Sequence, residues 1–202
     1  MEVKDLKLKE IATVIQGVNF SRVETNENDL EAIEKKLLTL KEFNETLGIP
    51  YRLVQEKKTS IWIQQSKCEK LTFTKEGMLV VHLLSQTVAM MPKRYEGLLI
   101  PSNFVVLDFH QPVDAKFIEW YFNEHPFIRR QLMLSTQGTS VSALSIGMLR
   151  EMEVSLPPMD MQVSIGRIIQ AFKKKKALIQ EKMELEEQFI HNRILEKMEE
   201  VK

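Results

Sequence analysis

The chain carries one cysteine, Cys68, in 202 residues. That excludes an internal disulfide and fits a reducing compartment. Its seven glycines never fall into a GxGxxG or GxxxxGK[ST] pattern, so no backbone cradle for a nucleotide phosphate is encoded. No stretch approaches the roughly 18 to 20 apolar residues of a membrane span. The opening Met-Glu-Val-Lys-Asp-Leu-Lys-Leu-Lys-Glu lacks the apolar core of a signal peptide, so a soluble, cytoplasmic protein is expected. Charge of one sign is missing as well, since 28 Lys and Arg balance 28 Asp and Glu. Over residues 51–140 the bases lead by 11 to 8, a weak excess that marks no strongly basic face.

Catalytic signatures are equally scarce. His82, His110, His125 and His191 are scattered and match no zinc spacing, and one cysteine makes no thiolate cluster, so neither metal nor cofactor is expected. His82 lies in an apolar strand and reads as a buried, hydrogen-bonded residue. No nucleophile elbow accompanies Ser140 or Ser142, whose Ser/Thr-rich surroundings suit turns. Leu156-Pro157-Pro158-Met159 lacks the acid or amide and the aromatic of the Asp/Asn-Pro-Pro-Tyr/Phe motif of adenine methyltransferases. An enzyme is not expected.

What is present begins at that double proline. Proline is tolerated in the first helical turn, whereas the residue before a proline is driven out of helix, so residues 158–202 form a unit distinct from 1–157. Downstream, Ile168, Ile179, Ile190 and Val201 recur every eleven residues, and Phe172, Met183 and Ile194 keep the same step four positions later. Eleven residues make three turns at about 3.67 residues each, so the apolar stripe runs nearly straight. About 40 residues at about 1.5 Å each give a rod about 60 Å long. One globule cannot cover such a stripe, which calls for a partner helix. Between the apolar positions lie Lys173 to Lys176, read as a solvated face, and several glutamates.

Upstream the pattern is α+β. Residues 6–15 make a short opening element, followed by a turn at Gly17. Residues 28–47 carry Leu30, Ile33, Leu37, Leu38, Leu40, Phe43 and Leu47 at roughly helical spacing, ended by Gly48-Ile49-Pro50. Strands are expected over 59–64, 78–83, 87–91 and 103–109, from their Val, Ile, Thr and aromatic content. Helices follow over 115–124 and 127–134, then a polar loop at 135–140, the segment 145–149 and a last strand over 151–156. Arg129 and Arg130 are expected to tie a surface helix to nearby acids.

The order of these pieces resembles one target-recognition domain plus one spacer helix of the specificity subunit of Type I restriction-modification systems. Leu8-Lys9-Glu10-Ile11-Ala12 with Ile15-Gln16-Gly17 is similar to the family's opening and glycine turn. Lys75-Glu76-Gly77-Met78-Leu79-Val80-Val81 resembles its polar-Gly-Asp-hydrophobic strand start, with Met78 where Asp is usual. Ile100-Pro101-Ser102-Asn103-Phe104, then Thr136-Gln137-Gly138-Thr139-Ser140 with Leu144, Ser145 and Leu149, continue the series. Val154-Ser155-Leu156-Pro157-Pro158, Gln162 and Ile165 resemble the exit into the spacer helix. A usual specificity subunit holds two such units, whereas one is present here.

The resemblance implies a non-catalytic subunit that reads one half of a split site in double-stranded DNA. It also implies partners: modification (methyltransferase) and restriction subunits that dock on the helix and carry the chemistry. A homodimer through antiparallel, coiled-coil-like helices would read an interrupted palindrome, with Ile168, Phe172, Ile179, Met183, Ile190, Ile194 and Val201 at the seam. Loop cations and amides are the candidate DNA contacts: Arg52, Lys57, Lys58, Lys67, Lys93, Arg94, Gln137, Thr139 and Ser140. The alternative is an assembly or decoy protein that captures a modification subunit without reading DNA, which a formal charge of zero favours.

Overall fold

The computed structural model describes residues 5–49, 58–136 and 143–199. Its elements run β1 (Asp5–Lys7), α1 (Leu8–Ile11), β2 (Ala12–Gln16), β3 (Ala32–Lys36), α2 (Leu40–Leu47), β4 (Ser60–Gln64), β5 (Leu79–His82), β6 (Thr87–Met90), β7 (Phe104–Phe109), α3 (Ala115–Glu124), α4 (Pro126–Thr136), α5 (Ile146–Glu151), β8 (Glu153–Ser155) and α6 (Met159–Glu199). Short 3-10 turns sit at Phe20–Arg22, Gln65–Lys70 and Lys93–Tyr95. The class is α+β, as expected.

An antiparallel sheet in the order β2-β7-β5-β6 forms the centre. Its side chains alternate between two cores, as a period of two requires. Val14, Leu79, Val81, Val88, Val105 and Leu107 face α3, α4 and α5. Val80, Ala89, Phe104 and Val106 face the opposite way, onto Leu38 and Phe43 of the α2 region. Both faces are covered, which is why these strands read as continuous apolar runs. A smaller sheet, β3-β4, packs Ile61 and Ile63 on Leu37 and Leu99 as a third cluster.

β3 corrects the expected helix over 28–47. Ile33 lies opposite Ile63, and Leu37 and Leu38 point into different cores. Pairing with β4 therefore overrides the 3.6-residue spacing. Leu30, counted toward the helical face, is 93% exposed. The helix starts only at Leu40, behind Thr39, whose side chain accepts from the backbone N–H of Glu42 while the Glu42 carboxylate accepts from Thr39 N–H at 3.1 Å. That reciprocal pair is a capping box, and its Thr-x-x-Glu spacing stands in the sequence. The opening element also resolves differently, into β1, α1 and β2. The segment 145–149 is the start of α5, which extends to Glu151 and shortens the last strand to Glu153–Ser155.

Two sheet edges are closed by helix side chains. Asn123 on α3 accepts from Val88 N–H at 2.8 Å and donates to Val88 C=O at 2.7 Å, and Glu119, one turn earlier, accepts from Met90 N–H at 3.1 Å. On β8, Gln131 of α4 makes the same double contact with Glu153, at 2.9 and 2.8 Å, and Tyr121 Oη accepts from Ser155 N–H at 3.0 Å. Edge strands otherwise offer a template for a foreign strand. Residues i and i+4 on one helix face reach alternate backbone groups of the strand beside them.

The root of α6 is held to the domain through α3. Gln162, buried, accepts from Asp114 N–H at 3.1 Å and donates to Pro157 C=O at 2.8 Å. Asp114 caps α3, accepting from Phe117 N–H at 2.8 Å. Gly166 lies against that carboxylate, where a Cβ would stand 2.4 Å from Asp114 Oδ1. About two turns further on, Lys173 pairs with Glu119. The lysine run is thus not wholly a solvated face. All four lysines, Lys173 to Lys176, are exposed, and Lys173 is also held by Glu119. From Lys174 to Glu199 every residue of α6 is exposed.

Candidate nucleic-acid interface

The register of the central sheet defines two ends. At one, Gln16 pairs with Val105, His82 with Phe104 and His82 with Thr87. At the other, Ala12 pairs with Phe109 and Leu79 with both Leu107 and Met90. The first end carries the Gly17 turn. Gly17 N–H donates to Phe104 C=O at 3.0 Å and Val18 N–H to Ile100 C=O at 2.8 Å. A Cβ on Gly17 would meet Pro101 O at 2.1 Å, so only glycine admits this approach of two backbones. The turn lines an open cleft of roughly 600 Å³ with Gln16, Asn19, Arg22, Lys70, Thr72 and Ser102.

The other end lies by the root of α6. There Arg94, Lys116, Glu119, Ile169 and Lys173 line a cleft of roughly 240 Å³. Its cations are engaged: Lys173 with Glu119, Lys116 donating to Gln170 at 2.6 Å, and Arg94 packed 4.9 Å over the Tyr95 ring. Tyr95 Oη in turn donates to Glu45, which pushes the phenol above its usual range. A third cleft mixes Lys75 with Glu76 and Asp108 and offers a polyanion little.

The residues expected to touch DNA are dispersed. Lys58 joins the β3-β4 layer, where its ammonium pairs with Glu24 and sits 5.6 Å over the Phe20 ring. Lys67 occupies the 3-10 turn that ends at Lys70. Lys93 and Arg94 stand at the α6 end. Arg52, Lys57, Gln137, Thr139 and Ser140 lie outside the described residues, as does Val201 of the stripe. Leu144, just past the Ser/Thr-rich loop, is bound to Leu83 C=O at 2.9 Å, and Leu83 to Asn103 C=O at 3.0 Å, at the Gly17 end. Gln16, Asn19, Arg22 and Lys70 were not among the expected contacts, although the glycine turn beside Gln16 was legible. Arg129 and Arg130 form no ion pair among the described residues, which corrects the expectation for them.

His82 belongs to the core and not to a site. It is 3% exposed, with ring centroids 5.8 Å from Phe43 and 4.9 Å from Phe104. Ser85 N–H donates to Nδ1 at 3.2 Å, which leaves the ring proton on Nε2, an atom without a partner among the described residues. Burial pushes its pKa down to about 4. Among the described residues no group of three or more His, Cys, Asp or Glu is placed to hold a metal ion, and no helix is long and apolar enough to cross a membrane.

The stripe residues stand open. Ile168 is 69% exposed and Phe172 68%, while Ile179, Met183, Ile190 and Ile194 lie between 49% and 58%. The side of α6 that docks on the domain is a different one, marked by Gln162, Ile165, Gly166 and Ile169. Near the far end, Phe189, Ile190, Ile194 and Met198 line an apolar groove.

No family model and no curated protein matches the sequence. Solved structures do match in fold. The Type I restriction-modification S subunit from M. genitalium aligns over 85% of this chain at 13% identity, with a TM-score of 0.51. The HsdS subunit from Thermoanaerobacter tengcongensis aligns over 87% at 14% identity and a TM-score of 0.56. A chain from a structure addressing complex assembly and conformational transition of the type I R-M system aligns over 87% at 14% identity and 0.58. The chain therefore has the fold of Type I restriction-modification S subunits. It spans 39% to 43% of the length of those chains.

Proposed function

We propose that this protein is a sequence-reading, non-catalytic specificity subunit of a Type I restriction-modification system, acting in the cytoplasm. Two copies pair through antiparallel α6 helices and present two identical domains to a split, palindromic site in double-stranded DNA. The same helices dock modification and restriction subunits, which carry the chemistry. Residues 1–157 are the reading unit and 158–202 the pairing unit.

One observation carries this reading. A domain with the S-subunit fold extends a long helix whose apolar stripe nothing in its own chain covers, among the described residues. Such a row of half- to two-thirds-exposed Ile, Phe and Met side chains in water is unfavourable by about 25 cal/mol per Å² of apolar surface, and a second helix removes it. Light scattering tests the pairing. The wild type is expected near twice 23.6 kDa, and Phe172→Glu plus Ile179→Glu is expected to run as a folded monomer. A folded wild-type monomer at micromolar concentration would rule out pairing of two copies.

The formal charge of zero favours a second reading, in which the helix captures a modification subunit and the domain reads no DNA. The two separate on salt. A DNA reader loses affinity steeply as salt rises, because Lys and Arg displace condensed counterions from phosphates. A pure assembly protein shows no such binding.

A further inference from the structure

A polyanion binds where cations have no acid of their own, and that condition is met unevenly over this surface. In the cleft beside Gly17, Arg22 and Lys70 come from two separate 3-10 turns and both are exposed. Neither has an ion-pair partner among the described residues, and no residue lining the cleft is acidic. Lys67, on the same turn as Lys70, adds a third cation with no acid paired to it. By contrast, at the α6 end Lys173 is paired with Glu119, Lys116 donates to Gln170 and Arg94 packs on the Tyr95 ring, while Lys93 beside them has no ion pair among the described residues.

The floor of the cleft is rigid, because the Gly17 turn is locked to Ile100–Phe104 by two backbone hydrogen bonds and by a contact too close for any side chain. A fixed floor with exposed cations on its rim binds an extended anion without reordering the backbone. Of the polar side chains there, Asn19 is held by Ser21, whose N–H and hydroxyl donate to its Oδ1 at 3.2 and 2.6 Å, whereas Gln16 is only weakly engaged. Gln16 Nε2 reaches Ser102 C=O only at 3.4 Å, and its amide is free to turn toward a hydrogen-bonding ligand.

We propose that this cleft seats the phosphodiester backbone of duplex DNA, with Arg22 and Lys70 as phosphate contacts and the Gln16 amide beside them. The proposal rests on the DNA-reading function above and names the surface that performs it. It also assigns Lys93 and Arg94, at the opposite end of the sheet, no part in DNA binding.

The test is fluorescence anisotropy of the full chain with a labelled duplex of about 30 base pairs and arbitrary sequence, between about 50 and 200 mM salt. Arg22→Ala plus Lys70→Ala is expected to weaken binding about tenfold and to flatten the slope of log K against log salt by about 1.8, two contacts at about 0.9 each. Arg22→Lys plus Lys70→Arg keeps the charges and is expected to keep the slope. Lys93→Ala plus Arg94→Ala is expected to leave affinity and slope unchanged. Both charge-removing pairs are exposed, so an unchanged melting temperature verifies the fold. Salt-sensitive binding by the wild type with an unaltered slope in Arg22→Ala plus Lys70→Ala would overturn the cleft assignment alone. So would a loss confined to the Lys93 and Arg94 variant. No salt-sensitive binding by the wild type at all would overturn the DNA-reading function itself, and the cleft with it.

Discussion

Single residues show how burial decides chemistry here. His82 was legible as a core histidine because Leu79 to Val81 beside it are apolar. Its unpartnered Nε2 was not, since that depends on which groups Phe43 and Phe104 leave within reach. The ring stays neutral in the folded protein down to about pH 4, against an ordinary value of 6.5. Between those values the unfolded chain binds the extra proton, so stability is complete above about pH 6.5 and declines as pH falls toward 4. The full effect is at most about 3 kcal/mol. Urea unfolding at pH 7.5 and 4.5 checks this. His82→Phe, an aromatic between two aromatics, is expected to lose much less stability on acidification than the wild type. An equal loss in both proteins would remove His82 from the account.

At the scale of elements, β5, β6 and β7 of the central sheet and the span of α3 followed from side-chain type, whereas β2, inside the short opening element, did not. Apolar runs buried on both faces and an Asp114 cap need no long-range information. β3 did not follow, because Ile33 satisfies a helical spacing and a strand register equally well until Ile63 is placed opposite it. The link from β6 through α3 to α6 was also invisible, as it joins residues far apart in sequence. Glu119 bonds the β6 edge with one oxygen and Lys173 with the other. Its side chain is 7% exposed while that of Lys173 is 44%, so removing the lysine strands a nearly buried carboxylate beside partial solvent. Lys173→Met is expected to cost about 1–2 kcal/mol, less than a fully buried pair because water screens the lysine side. Adding Glu119→Gln is expected to restore most of it, since an amide oxygen still accepts from Met90 N–H. Additive losses in a double-mutant cycle would show that the two side chains do not act together.

For the whole molecule, the stripe on α6 has the largest consequence. If two copies pair along it, unfolding releases monomers, and the melting temperature rises with protein concentration by mass action. Scans at about 2 and 200 μM are expected to differ by several degrees for the wild type. Phe172→Glu plus Ile179→Glu is expected to melt at one temperature throughout. A concentration-independent wild type would mean that the stripe stays solvated in the isolated chain.

The sequence by itself determined the α+β class, the rod after Pro157-Pro158 and the eleven-residue stripe, because propensity, proline stereochemistry and periodicity act within a few turns of chain. It also indicated that the stripe needs a partner, since no domain of this size covers such a length. Only the tertiary structure decided which cations are free. Lys58, Lys173 and Arg94 look like any basic residue until Glu24, Glu119 and Tyr95 are folded against them. Arg22 and Lys70, about fifty positions apart, line one cleft because the Gly17 turn presses onto Pro101. Electrostatic pairing acts through space, over a few ångströms, and the order of residues along a chain does not record those distances.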